Sequence, residues 1–422
     1  MLDPKYVREH ADDIKANCEK RQVGADVDSW IRLDQKRLAL LKETEALRGE
    51  RNQVALKMKS ASDNEKESLV SRGRALKEEV ASKEEELQAV EVEWRNSLLT
   101  LPNLTHPDTP VGKTDEDNLE IKKVGEINKL DEPKDHLNLV EKLDLVDFAR
   151  GTKVAGAKFY FLKNKLALLD WALLRYAIDF MVREGFSFIT TPDVAKEEVL
   201  IGKGFLPRGP EQQVYYIEGQ DLALIGTSEI TVLGYYMNEV LPADELPKKY
   251  VAFSHCFRTE AGSYGRESYG LYRVHQFNKV EMFAFAKPEQ SEAIHIEFLN
   301  HEERFWQSLG IPYRVVDCCS GDLSGSDYRR YDIEAWMCGR NEGKGGWGEV
   351  TSTSNCLDYQ SRGLNIKQSS ADEGRGYIHT LNGTVVATPR ALIAILENCQ
   401  QADGTIKIPS ALVPYCGFDT IG

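Results

Sequence analysis

Apolar residues recur every seven positions through the first quarter of the chain: Leu33, Leu40, Leu47 and Val54. After a polar break at about Ser60 to Asn64, Leu69, Leu76 and Val90 hold one register, and Val80, Leu87 and Trp94 another. This spacing predicts two long helices between about 28 and 98, folded back as an antiparallel coiled-coil hairpin with a narrow apolar seam. Residues 102–135 hold Pro102, Pro107, Pro110 and Pro133 among polar residues and read as a connector. Beyond it the pattern becomes globular. A helix is predicted from about Leu166 to Glu184, followed by a short strand that Pro192 stops. Segments 213–217, 250–258, 272–286 and 347–359 alternate with period two, and helices are predicted at about 289–309 and 389–402. Hairpin-paired strands with helices outside give an α+β class: a mainly antiparallel sheet flanked by helices, with an N-terminal coiled-coil arm. The expected domains are 1–101 with the arm, the connector 102–135, and a globular domain over 136–422.

Composition narrows this picture modestly. The 422 residues, 41% hydrophobic and 28% charged, suit a chain of more than one domain with a substantial core. No apolar run approaches the roughly 18 residues of a membrane span. Met1-Leu2-Asp3-Pro4 opens neither a signal peptide nor a transit peptide, so a cytoplasmic protein is expected, with an organellar matrix after leader removal as the alternative. Eight scattered cysteines form no C-x-x-C pair, so reduced thiols and no structural zinc are expected. A net charge of −14 argues against indiscriminate nucleic-acid binding. The arm tip departs from it. Between Arg48 and Lys77 eight basic residues face four acidic ones, leaving +4. An ordinary solvated surface and a phosphate-contacting tip both fit that charge.

The densest chemistry lies in a predicted hairpin over 250–286. Its first strand is expected to end Phe257-Arg258-Thr259-Glu260, its loop holds Gly262, Gly265 and Gly270, and its return reads Phe277-Asn278-Lys279-Val280-Glu281. Alternate strand residues share a face, so Arg258 and Glu260 point one way, as do Phe277, Lys279 and Glu281. If the two faces coincide, the surface offers a cation, an aromatic plate and two carboxylates. That set suits ATP, with arginine on the α-phosphate and the ring against adenine. Neither G-x-G-x-x-G nor G-x-x-x-x-G-K-[ST] occurs. Further on, Thr388 as N-cap and Pro389 in the first turn start a helix whose free N–H groups and dipole favour phosphate near Arg390.

Together these segments resemble the class II aminoacyl-tRNA synthetases. Phe257-Arg258-x-Glu260, the glycine-bearing loop and Phe277-x-Lys279-Val280-Glu281 resemble motif 2, the segment ending Thr191-Pro192 resembles motif 1, and Asn382-Gly383-Thr384-(x)3-Thr388-Pro389-Arg390 resembles motif 3. Within the class the chain is similar, over essentially its whole length, to the bacterial seryl-tRNA synthetases, whose N-terminal hairpin grips the variable arm of tRNA. Thr227-Ser228-Glu229 matches that family's serine-binding T-x-E, and Glu349-Val350-Thr351-Ser352 its ATP and metal segment.

The resemblance implies roles for these positions. Thr227, Ser228, Glu229, Glu281 and Thr384 would hold serine. Arg258, Thr259, Glu260, Phe277, Glu349, Val350, Thr351, Ser352 and Arg390 would bind ATP, with Arg258, Glu260 and Arg390 catalytic and Glu349 and Ser352 on Mg²⁺. Arg48, Arg51, Lys57, Lys59, Arg72 and Arg74 would meet tRNA. It implies a homodimer that makes seryl-adenylate from L-serine and ATP and transfers it to tRNA(Ser), extending to tRNA(Sec). In-line attack of a carboxylate on the α-phosphorus joins two anions, so positioning and charge neutralisation carry such chemistry. A synthetase-derived carrier ligase and a non-catalytic coiled-coil protein are the alternatives.

Overall fold

A computed structural model describes every residue except Lys129 and residues 206–212, 262–269 and 371–373. The chain divides into two units, Met1–Pro102 and Asn103–Gly422.

In the first unit, α1 (Pro4–Glu9) and α2 (Ala11–Lys20) precede two long helices, α3 (Val27–Met58) and α4 (Asp63–Leu98). Local chemistry sets their ends. Asp26 accepts from the Ser29 N–H at 2.8 Å to cap α3, and Ser62 with Glu65 forms a capping box on α4. Leu40, Leu76, Val80 and Val90 are buried along the seam, and Leu33, Leu47, Val54, Leu69, Leu87 and Trp94 are half-buried. At its base the Trp94 indole donates to Asp34 at 2.8 Å, as does Arg8. These bonds satisfy a carboxylate that would otherwise be costly to bury beside Trp30.

The second unit is built on an eight-stranded sheet. In chain order its strands are β1 (Leu119–Val124), β2 (Ser187–Thr190), β3 (Lys248–Phe257), β4 (Gln276–Ala286), β5 (Tyr313–Asp317), β6 (Arg329–Met337), β7 (Gly346–Asn355) and β8 (His379–Ala387). The spatial order is β1-β5-β6-β7-β8-β4-β3-β2, antiparallel throughout except for the parallel β2–β3 pair. The helices used below are α5 (Asn164–Arg183), α6 (Glu197–Lys203), α7 (Ser228–Gly234), α8 (Ser291–Leu309) and α9 (Thr388–Cys399). Strand β4 shows how the layers form. Val280, Met282, Ala284 and Ala286 join the main core with α5 and α8, while Phe283 and Phe285 join a smaller core with α6 and α7.

The sheet is forked. Strands β7 and β8 pair only over Thr353–Asn355 and Leu381–Gly383. Each then bulges, at Val350 in β7 and at Val385 in β8, and the two separate.

Five expectations about elements need correction. Strand β3 stops at Phe257, and Glu260 beyond it sits in left-handed backbone (φ +50°). Strand β4 starts at Gln276 rather than 272, and β7 ends at Asn355 because Tyr359 begins a short helix. Segment 213–217 makes one isolated bridge among the described residues, Tyr216 to Ala223. Within 102–135, β1 pairs with β5 as the sheet edge.

Candidate functional site

The fork holds a cavity of about 290 Å³. One prong, β7, contributes Glu349, Val350, Thr351 and Ser352; the other side contributes Thr384, Ala387 and, from the first turn of α9, Arg390. Arg258, Glu260, Phe277 and Lys279 close it from the β3–β4 hairpin.

The faces of that hairpin do coincide. Cys256 stands opposite Phe277, Ser254 opposite Lys279 and Ala252 opposite Glu281, and Arg258 continues the row two residues past Cys256. Directly opposed residues of an antiparallel pair share a face. The Arg258 guanidinium lies 5.4 Å above the Phe277 ring, and its Nε donates to the Gly226 carbonyl at 3.2 Å. Glu260 enters the cavity from its left-handed turn, not from strand alternation. Its N–H donates to Gln213 Oε1 at 3.0 Å and its carboxylate accepts from Arg273 at 3.2 Å. Thr259 is not among the cavity-lining residues; its N–H donates to the Gln213 carbonyl at 3.3 Å. Gly262 and Gly265 lie outside the described residues.

Two basic side chains stack on Tyr272: Arg340 at 5.1 Å and Arg390 at 4.7 Å from the ring centre. Arg390 also pairs with the Glu349 carboxylate at 3.0 Å. Burial pushes the Glu349 carboxyl up, but the Arg390 and Arg330 guanidinium groups outweigh it and hold it below the ordinary range. The cavity therefore sets the guanidinium groups of Arg258 and Arg390 against the ionised carboxylate of Glu349 on the other prong, a setting for a polyanion with a divalent cation.

Behind the cavity lies a buried polar cluster. Glu281 accepts from Thr227 Oγ1 at 2.9 and 2.8 Å, from the Ser228 N–H at 3.0 Å and from Ser228 Oγ at 2.7 Å, and pairs with Lys279 at 2.5 Å. Burial works against its charge, yet Lys279 and these donors prevail and the carboxyl stays ionised below its usual range. Glu229 accepts from Gln360 at 2.7 Å and Asn382 at 2.8 Å. Lys279 lines the cavity and touches both Thr227 and Glu281, so it joins the two compartments. Sequence reasoning gave it no role, although its alternation with Phe277 and Glu281 already put it on that face. Tyr272, Gln360 and Asn382 were likewise given no individual role; the fold brings their side chains to the site.

Beneath the crotch of the fork, Glu302 of α8 is fully buried beside Thr351 and the Thr384 backbone. Burial, then Asp332 and Glu303, push it well above the carboxylate range. Gly383 makes the approach possible, since a Cβ there would stand 3.0 Å from Glu302 Oε1. Among the described residues Cys318, Asp322 and Asp332 cluster at metal-ligand spacing. The Arg330 guanidinium already supplies their cation, at 2.6 Å from Asp322 and 2.9 Å from Asp332.

The arm's basic residues divide. Arg48 pairs with Glu84 at 2.8 Å, and Arg72 pairs with Glu50 and Glu79, each at 2.9 Å. Arg51, Lys57, Lys59 and Arg74 are exposed and carry no ion pair among the described residues.

Comparison with known proteins agrees with this geometry. Residues 1–105 match the seryl-tRNA synthetase N-terminal domain, and residues 214–399 match the tRNA synthetase class II core domain (G, H, P, S and T). The chain is 51% identical to a serine–tRNA ligase of Treponema denticola, covering 100% of both, and 48% identical to that of Rubrobacter xylanophilus, covering 100% and 99%. Among solved structures, the seryl-tRNA synthetase of Pyrococcus horikoshii complexed with ATP matches with a TM-score of 0.90 and 38% identity, covering 100% of this chain and 99% of that one. The cytoplasmic serine–tRNA ligase of Naegleria fowleri in complex with AMP matches with a TM-score of 0.83 and 32% identity, covering 98% and 95%. With its arm, its forked sheet and full-length identity near one half, this chain belongs to the seryl-tRNA synthetase family, within class II of the aminoacyl-tRNA synthetases.

Proposed function

We propose that the protein is an ATP-dependent ligase that activates L-serine as seryl-adenylate and transfers it to the 3′ end of tRNA(Ser) and tRNA(Sec). The observation that carries this reading is the adjacency of the guanidinium-lined fork and the buried Thr227–Ser228–Glu281 cluster, with Lys279 between them.

ATP occupies the fork. Arg258 takes the α-phosphate, Phe277 packs on adenine, and Glu260 accepts from its exocyclic amine. Arg390 meets the γ-phosphate once it leaves Glu349. Glu349 and Ser352 offer hard oxygen donors, a set suited to Mg²⁺, which would neutralise phosphate charge. Serine sits deeper, its ammonium and hydroxyl held by Thr227, Glu229, Glu281 and Thr384. Its carboxylate thereby faces the α-phosphorus with pyrophosphate as leaving group. No protein nucleophile is needed; the residues orient two anions and cancel their repulsion. The hydroxyl-lined pocket rejects alanine, which would leave buried polar groups unpaired, and excludes threonine by size.

Arg51, Lys57, Lys59 and Arg74 would contact tRNA phosphates, with Arg48 and Arg72 stiffening the hairpin beside them. A homodimer is supported by exposed apolar side chains on α5 (Leu168, Trp171, Val182) and by Phe188 on the edge strand β2. The free cysteines fit the reducing cytoplasm, and no helix among the described residues is long and apolar enough to cross a membrane.

The test is ATP–pyrophosphate exchange across the twenty amino acids. Serine is expected to drive it, with weak responses to threonine and alanine. Equal stimulation by any other amino acid overturns the assignment.

A further inference from the structure

Glu229 carries a partner that the pocket described so far does not require. Lys203, the last residue of α6, places its ammonium 2.8 Å from Glu229 Oε2, with 11% of its side chain exposed. The other carboxylate oxygen, Oε1, takes Gln360 and Asn382. Three donors from three parts of the chain thus hold one side chain.

The seat of Lys203 is tightly built. A Cβ on Gly202 would lie 2.4 Å from Leu364, and a Cβ on Gly363 would lie 1.9 Å from the Gly202 carbonyl. Only glycines allow α6 to touch the helix Tyr359–Leu364, which carries Gln360. The two donors therefore come from one close-packed junction. Gly204 then turns the chain in left-handed backbone (φ +86°), and the Phe205 ring lies 5.1 Å from the ammonium. Burial alone would drive the charge off Lys203, but Glu229 beside it more than compensates and the ammonium is held.

Lys203–Glu229 repeats the arrangement of Lys279–Glu281. Each carboxylate of the amino-acid pocket has its own lysine, so the four charges cancel. An arriving zwitterion meets aligned acceptors in a neutral pocket, not a net negative field. A carboxylate so pinned cannot swing to follow a larger or differently shaped side chain.

We propose that Lys203 is a positioning residue for amino-acid recognition: it fixes the Glu229 carboxylate and balances its charge so that Glu229 presents one defined acceptor to serine. The proposal rests on the reading of this pocket as the serine site.

Serine-dependent pyrophosphate exchange would be measured for the full-length wild type and for K203M, K203R, E229Q and K203M/E229Q. For K203M the serine KM is expected to rise about tenfold or more, with kcat and the ATP KM within about threefold of wild type. K203R should recover most of the loss. The double variant should be no worse than E229Q alone, because removing Lys203 matters only through Glu229. A serine KM for K203M within about twofold of wild type, or losses that multiply in the double variant, would overturn the proposal. Should K203M fail to fold by circular dichroism, the neutral pair K203Q/E229Q takes its place: a serine KM equal to that of E229Q supports the proposal, and a further tenfold rise, on the scale of about 1.4 kcal/mol, overturns it. The wild type judges the function separately. Its own preference among amino acids tests the serine reading, while the ratios between variants test Lys203.

Discussion

The proposed nucleotide site turns on Arg258. This side chain extends the row of β3 that faces Phe277, and it is tethered by the Gly226 carbonyl just before the Thr227 cluster. Charge developing on the α-phosphate would be met there by a preorganised cation. Arg258→Ala should lower serine-dependent exchange by about 10²–10³-fold, the usual loss when one such donor is removed. A loss below tenfold in steady-state exchange would mean that the site is misread. Strand alternation, a local rule, was enough to place Arg258, Phe277, Lys279 and Glu281 on common faces. It failed for Glu260, which reaches the cavity through a left-handed turn. It was also blind to Lys203 and Gln360. Their meeting with Glu229 depends on glycine contacts between two short helices far apart in the chain.

Among the elements, those with a local repeat were the legible ones. The heptads of α3 and α4 and the run of α5 lie within a residue or two of their expected ends. Strands whose pairing is distant were harder to bound. Segment 213–217 alternates yet finds only one bridge among the described residues, and β1 reads as connector because its exposed edge mixes Leu119 and Ile121 with Glu120, Lys122 and Lys123. No pattern announced the fork, since a bulge changes register without changing composition. Its support by α8 leads to a prediction about stability. Glu302 binds its proton more tightly when folded than in the unfolded chain, where its ordinary value is 4.5. Its protonated carboxyl therefore stabilises the fold fully below that value, and the contribution is lost as pH rises through the folded-state value. Asp332, pushed up to about 7 mainly by burial, titrates nearby. As pH rises the wild type should lose melting temperature relative to Glu302→Gln, because only the wild type has that proton to give up. Parallel melting curves for the two proteins would refute this account of α8.

At the scale of the whole molecule, activation and tRNA capture are assigned to different units. The −14 of the chain repels nucleic acid in general, while the exposed cations Arg51, Lys57, Lys59 and Arg74 sit on a hairpin with its own apolar seam. Removing residues 30–97 should leave serine-dependent exchange near the wild-type rate but reduce tRNA charging by at least about 10²-fold, because phosphate contacts supply much of such affinity. Undiminished charging by the truncated protein would end the proposed role of the arm.

The fork has a mechanical consequence besides its proposed nucleotide role. Four strands, β1-β5-β6-β7, lie on one side of it and four, β8-β4-β3-β2, on the other, and the ladder joins them through only three residue pairs. Mechanically the sheet is a pair of leaves on a short hinge. Glu349 and Ser352 ride on one leaf, while Arg258, Phe277, Lys279 and Thr384 ride on the other. A molecule gripped by both sets would act as a clasp, adding contacts between the leaves where the ladder supplies none.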